Sequence, residues 1–195
     1  MNKSKIILIV CAVALVAFLA FSAKVIDKGT EDQYTGEVAF DASASSSGDW
    51  DAVLQEITGN AEDIASVDLS ALGDGKAVRF RGTVSEYVSK AAGKKNSITV
   101  LPEGYSGDAV FSVQLGSIYS GTAVRDAQTV KSFGDFTNQP EWSQYAKALN
   151  SQLDELVVAP LGIDESIKGK TVSVVGAATA SDGEVTITPV AITIE

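Results

Sequence analysis

Three observations predict an α+β chain. Apolar and polar residues alternate in five separate segments, an amphipathic helical stretch lies between the third and fourth of them, and an uncharged apolar run stands at the amino end. Together they give an N-terminal membrane helix, a helical segment, and then an OB-like antiparallel β-barrel with an inserted helix between strands three and four. The alternation alone also admits another small barrel or a sandwich.

The amino end fixes the address. Ile6 to Phe21 carries no charge and follows Lys3 and Lys5, the pattern of a signal anchor or signal peptide over residues 1–23. The run reaches the lower limit for crossing a bilayer, about 17 residues, once Ser22 is tolerated, and it exceeds the usual signal-peptide core of about 7 to 15. Residues 6–23 are therefore expected to tether the chain to the membrane, with cleavage ahead of Ala23 as the alternative. Either reading places the rest outside the cytoplasm. Cys11, the single cysteine of the 195 residues, sits inside this run and reads as a small apolar residue of the membrane helix.

Residues 24–48 form a leader and a Ser-rich connector, DASASSSGD, running on to Asp49. Residues 49–73 then read as helical. Trp50, Val53, Leu54, Ile57, Ala61, Ile64 and Ala65 recur at spacings of three and four, with Gly59 a place for a kink or turn and Gly73-Asp74-Gly75 the end. The barrel is expected over 74–195, with strands near 76–88, 96–101, 109–119, 170–178 and 184–194. Pro189 cannot donate a ladder hydrogen bond, so it marks an edge or a bulge in the last strand, and Asp182-Gly183 supplies a tight hairpin turn. The helical insertion falls at 137–160, where Trp142, Tyr145, Ala146, Leu149, Leu153, Leu156 and Val157 make one apolar stripe. Its entrance has two readings. Pro140 in the first turn makes Gln139 the cap, whereas Asn138 with Glu141 three residues later makes a capping-box-like pair.

Composition excludes several functions. Residues 1–23 hold two of the 15 basic residues and none of the 25 acidic ones, so the remainder carries 13 against 25, a formal charge of −12. Such a body opposes nucleic acid, and the one dense basic run, Lys90 with Lys94 and Lys95, reads as a solvated turn. One cysteine cannot form an internal bridge, so the apolar core must hold the fold. With no histidine, Ser-His-Asp and Cys-His catalysis and ordinary zinc ligation are unavailable. No phosphate-binding glycine loop or calcium loop occurs, and neither a cofactor nor a metal is expected. Paired carboxylates remain the one enzymatic option, since sequence does not show which acids converge.

The densest run of turn, cap, charge and aromatic residues is Gly121 to Asn150. Its words GTAVRDA, FGDFTNQPEW and AKALN resemble the signature of an uncharacterised bacterial family described as predicted periplasmic lipoproteins, often encoded beside sugar ABC transporters. The likeness extends from about Val38 to the terminal ITPVAITIE. It implies an extracytoplasmic location and a sugar transporter component as partner, and brings no established activity. The family pattern places a lipid-modified Cys after a small residue at the end of the apolar run; here Cys11 lies within the run.

Candidate site residues come from this block. Arg125 reads either as a clamp on a carboxylate or on helix-end carbonyls, or as a ligand contact; Asp126 reads as the N-cap of a helix DAQTVKSF or as part of the same site. Thr137, Asn138 and Gln139 either cap the inserted helix or set their polar groups beside Arg125 to bind a hydroxyl or carboxylate. Trp50 and Trp142 begin apolar stripes and are expected to be buried rather than to face a sugar ring. Tyr105 lies in a surface turn, PEGYSGD. The expected function is a non-enzymatic, membrane-tethered binding or adaptor module accessory to sugar transport. A carboxylate-dependent enzyme acting on extracytoplasmic sugars and a structural envelope protein are the alternatives.

Overall fold

The structure, a computed structural model, describes residues 39–89, 96–116 and 118–195. The expected membrane helix over 6–23, the leader up to residue 38 and the basic run at 90–95 lie outside the described residues. Met1–Phe40 and Asp41–Glu195 form two units, and every element below belongs to the second.

The first helix, α1 (Ala42–Asn60), begins seven residues earlier than the sequence suggests, so the Ser-rich stretch is helix rather than connector. Serine is only a moderately poor helix former, at a cost of about half a kcal/mol per residue. Asp41 offsets this by capping: its carboxylate accepts from the Ser43 and Ala44 amides at 3.0 and 2.9 Å. Tertiary contact completes the case. Ser46 is buried and Ser47 Oγ donates to Gln152 Oε1 at 3.0 Å, where small side chains let α1 lie against the inserted helix.

At its other end α1 stops at Asn60, one residue after Gly59, rather than running toward 73. Of the later members of the expected stripe, Ala61 and Ile64 are still buried, by different means, and Ala65 is half-buried. β1 (Glu62–Asp63) runs parallel to Val78–Arg79, the Ile64 amide donates to the Arg79 carbonyl at 3.0 Å, and the Ile64 side chain is fully buried. A ladder hydrogen bond thus replaces a helical turn while Ile64 keeps its place in the core.

The barrel follows the expected order closely. Its strands are β2 (Lys76–Val88), β3 (Asn96–Pro102), β4 (Val110–Leu115), β5 (Thr171–Ser181) and β6 (Glu184–Ile194). They pair in the order β2-β3-β4-β6-β5, and β2 pairs with β5 to close the ring; the barrel is not antiparallel throughout as expected, since β4 and β6 run parallel while every other pair is antiparallel. β2 serves both edges by switching partners at Gly82. A Cβ there would stand 2.5 Å from the Leu101 carbonyl oxygen, so only glycine permits this approach. Inward-facing Val78, Phe80, Val84, Ile98, Val100, Phe111, Val113, Val172, Val174, Val185 and Ile187 fill the interior. Tyr105 folds back so that its ring meets Phe111 edge-on at 4.7 Å.

Asp182 and Gly183, at φ 51° and 81°, make the expected two-residue turn between β5 and β6. Val175 faces Ala191 while Gly176 faces Pro189, which leaves Val190 as the extra residue of a bulge beside the proline. β4 is shorter than expected. It ends at Leu115 because Gly116 turns at φ 78°, and the buried Gln114 amide then continues the connection to β6 by donating to Thr188 Oγ1 at 2.8 Å.

The insertion contains α2 (Ala123–Asp126) and α3 (Gln139–Leu153). Tyr145, Ala146, Leu149 and Leu153 are buried as the stripe requires, but the stripe does not continue through Leu156 and Val157. Asp154–Val158 forms a π-helical turn, whose i→i+5 bonding adds a residue to the turn. Val158 takes the inward position, and Leu156 is left 50% exposed. The helical path to Leu161 thereby departs from a continuous α-helix over 137–160.

Candidate functional site

α2 is a single turn, and that turn decides the geometry of the polar block. Because residues 123–126 are helical rather than extended, the neighbouring Arg125 and Asp126 side chains reach each other. Arg125 Nε and Nη2 donate to Asp126 Oδ1 at 2.8 and 2.7 Å, and Thr122 Oγ1 donates to the other carboxylate oxygen. The guanidinium carbon lies 4.4 Å from the centre of the Trp142 ring, and Nη1 points to the Trp142 carbonyl at 3.5 Å. Both charged side chains are largely buried, at 11 and 17% exposure. Arg125 is therefore a clamp on a carboxylate, and it ties α2 to α3.

Asp126 does not act as the expected N-cap. It closes α2, and no helix spans DAQTVKSF, because the following residues are fixed as an irregular loop by side-chain bonds. The buried Gln128 amide donates to the carbonyls of Arg125 and Lys131 at 2.8 and 2.9 Å and accepts from the Lys131 amide at 2.8 Å. From α1, the Glu56 carboxylate accepts from the Thr129 amide and hydroxyl at 2.9 and 2.7 Å and from the Val130 amide at 3.2 Å. Charge-assisted bonds of this kind contribute more than neutral ones, about 1.5 to 3 kcal/mol each. The loop ends in a turn capped by Ser132 and Asp135, where hydrogen bonds from the Ser132 amide and hydroxyl hold the Asp135 carboxyl below its ordinary value.

Thr137, Asn138 and Gln139 are exposed at the α3 entrance. Of the two caps considered, the structure selects Asn138: its Oδ1 accepts from the Glu141 amide at 3.0 Å, while the Glu141 carboxylate accepts from the Thr137 amide at 2.9 Å. Pro140 occupies the first turn, where no amide is needed.

An open cleft of about 540 Å³ lies before Arg125, walled by Gly73, Asp74, Thr129, Lys131, Ser132 and Trp142 among others. Thr137, Asn138 and Gln139 are not part of that wall. Lys131 extends toward Asp49 at 3.9 Å, and Asp49 also accepts from the Tyr145 hydroxyl at 3.1 Å. Burial, reinforced by the Asp49 charge, raises the Tyr145 phenol well above its ordinary value, so it remains a donor.

Trp142 is half-buried rather than buried: the guanidinium covers one face, which is then unavailable to a ring-shaped ligand, the Tyr145 ring lies nearly parallel to it at 6.0 Å and Phe136 meets it at a tilt of 52°. Trp50 is buried as expected. Among the described residues, no group of three or more Asp, Glu or Cys is placed to hold a metal ion. The sequence reading missed Glu56 and Gln128, and it missed the cation on Trp142. Glu56 acts on residues 73 and 74 positions away, a pairing that no local pattern announces.

A closed five-stranded barrel with a helix between its third and fourth strands places the protein in the OB-fold class. A solved OB-fold protein from Thermotoga maritima aligns with it at a TM-score of 0.54 and 15% identity, covering 80% of this chain and 99% of that one. At this identity the likeness concerns the fold. No curated protein matches the chain. The family described as "Predicted periplasmic lipoprotein (DUF2291)" matches residues 71–193, and the chain belongs to that family. The matched span runs from the turn before β2 to the end of β6, so it takes in the whole barrel and the stapled block.

Proposed function

We propose that the protein is a non-catalytic, extracytoplasmic binding or adaptor module, tethered to the cytoplasmic membrane and accessory to a sugar ABC transport system. Membership of a periplasmic lipoprotein family supports the location. The transport link rests on the resemblance of the Gly121–Asn150 block. One observation carries the non-catalytic reading. The charged groups of the polar block are spent on each other: Asp126 binds Arg125 and Thr122, Glu56 binds the 129–130 backbone, and Arg125 is stacked on Trp142. Carboxylates held in this way are engaged by structural donors rather than presented to a substrate. What remains is a rigid, acidic scaffold suited to docking.

Capture of the intact membrane form with native envelope proteins tests the proposal. Recovery of a transport component is the expected result, and its absence counts against the adaptor role. A thermal-shift panel of monosaccharides and oligosaccharides separates the alternatives, because a ligand that binds the native state raises stability by about 2.7 kcal/mol at a hundred times its dissociation constant. An adaptor without a sugar site gives no shift.

A further inference from the structure

The largely buried guanidinium of Arg125 is not exhausted by the fold. An arginine side chain carries five N–H groups. Nε and Nη2 are turned to one oxygen of Asp126, and Nη1 points to the Trp142 carbonyl at 3.5 Å, the outer limit of a hydrogen bond. These contacts engage at most three of the five, so at least one N–H on each terminal nitrogen is left without a partner among the described residues. Two such groups belong to one planar fork, the arrangement that receives both oxygens of a carboxylate. The fork is also held in place already, between the Asp126 carboxylate and the Trp142 ring, so a ligand does not have to order it.

Arg125 lines the open cleft of about 540 Å³, and the other uncommitted groups of that cleft are of both signs. The Lys131 ammonium makes no hydrogen bond among the described residues and has only Asp49 near it, at 3.9 Å. The Asp74 carboxylate has no hydrogen-bond or ion-pair partner among the described residues, whereas Asp126 is committed to Arg125 and Thr122, and Gln128 to the backbone. Close packing brings Asp74 to Arg125. A Cβ on Gly75 would stand 2.4 Å from the Ala123 carbonyl oxygen, so the Gly73-Asp74-Gly75 turn lies directly against α2, the helix that carries the guanidinium. On the other wall, the Glu56 carboxylate fixes the backbone just before Lys131.

We propose that this cleft binds a small hydroxylated carboxylate. The ligand's carboxylate takes the two remaining N–H groups of Arg125, with Lys131 as the second cation, and a hydroxyl of the same molecule donates to Asp74. The mixed lining selects against the neighbouring classes. An inorganic anion or a plain carboxylate leaves Asp74 without a donor and repels it, a neutral polyol leaves the fork without its anion, and an ammonium in place of the hydroxyl meets that of Lys131. The assignment goes beyond the adaptor reading, because it gives the module a small ligand that docking to a transport component does not require.

Calorimetric titration of the full-length protein with matched probes tests the proposal. Lactate and glycerate are expected to bind; propionate, which lacks the hydroxyl, and alanine, which carries an ammonium in its place, about tenfold more weakly; and lactamide, which lacks the carboxylate, not at all. K131Q removes no hydrogen bond of the ammonium, and is expected to weaken lactate binding about tenfold while leaving the melting curve in place. D74A is expected to bring lactate down to the affinity of propionate. R125K keeps the charge, removes the fork and is expected to abolish binding; if it does not fold, K131Q and D74A still decide. No saturable binding of either hydroxylated acid, equal affinities for lactate, propionate and alanine, or lactate binding unchanged by both K131Q and D74A overturns the proposal. Lactate binding by a protein that captures no transport component leaves the cleft standing and removes the adaptor role. Capture without binding of lactate or glycerate does the reverse.

Discussion

The two ends of the inserted helical region make opposite use of their polar residues. Before α3, the block from Thr122 to Glu141 is crowded with side chains that could recognise a ligand, and nearly all of them bind one another or the backbone. After α3, the sequence looks like an ordinary amphipathic helix, yet the π-helical turn leaves Leu156 half exposed, and among the described residues Glu155 has no hydrogen-bond or ion-pair partner. Density of polar residues therefore marks a region that must hold irregular backbone together. A break in helical phase leaves an apolar side chain in solvent that a continuous helix would bury.

The comparison can be broken most directly at Arg125. Arg125→Ala leaves Asp126 buried without its partner and uncovers the Trp142 face, with an expected loss of about 1 to 3 kcal/mol in thermal or denaturant unfolding. An unchanged melting curve would mean the block is not the staple described. Asn138→Ala removes only the α3 cap and is expected to cost about 1 kcal/mol, read in the same way. If it costs as much as the arginine change, capping and not the ion pair dominates this region. On the other side of α3, Leu156→Ser is expected to change stability by less than about 0.5 kcal/mol, because the side chain is already half in water. A loss near that of a core leucine would place Leu156 inside and undo the contrast.

Acid sets the smallest and most diffuse effect. Hydrogen bonds from Ser132 to Asp135 and from Ser166 to Asp164, and the Arg81 guanidinium at Glu195, lower these carboxyls in the folded state. A lowered folded value means the stabilisation is complete above the ordinary carboxylate range, about pH 4, and is lost as pH falls through the folded values. With no histidine in the chain, melting is expected to stay level between about pH 5 and 8 and to decline only below pH 4. A decline already at pH 6 would point to some other titrating group.

Much of the fold was legible because its signals are local. The period-two alternation gave β2 and β6 their observed limits, Asp182-Gly183 gave the hairpin, and Pro189 gave the bulge. The helical elements were legible in their buried stripes and misread at their ends. Ser46 and Ser47 are helical because a second helix lies against them, and Ile64 is buried through a strand because β2 offers it a ladder position. The site was legible in part. Arg125 was recognisable as a clamp, but its carboxylate proved to be its own neighbour, since a single helical turn brings together side chains that an extended segment would separate.

By itself the sequence determined the five strand segments, the place of the inserted helix among them and the acidic, histidine-free composition, because the elements depend on residues that repeat at short range; closure of the barrel came from the long-range pairing of β2 with β5. Tertiary structure alone decided which polar groups are spent and which remain free. Glu56 finds the 129–130 backbone across more than seventy residues, and Val158 displaces Leu156 from the core. Both outcomes depend on the shape of the surface that the chain meets when it folds back on itself.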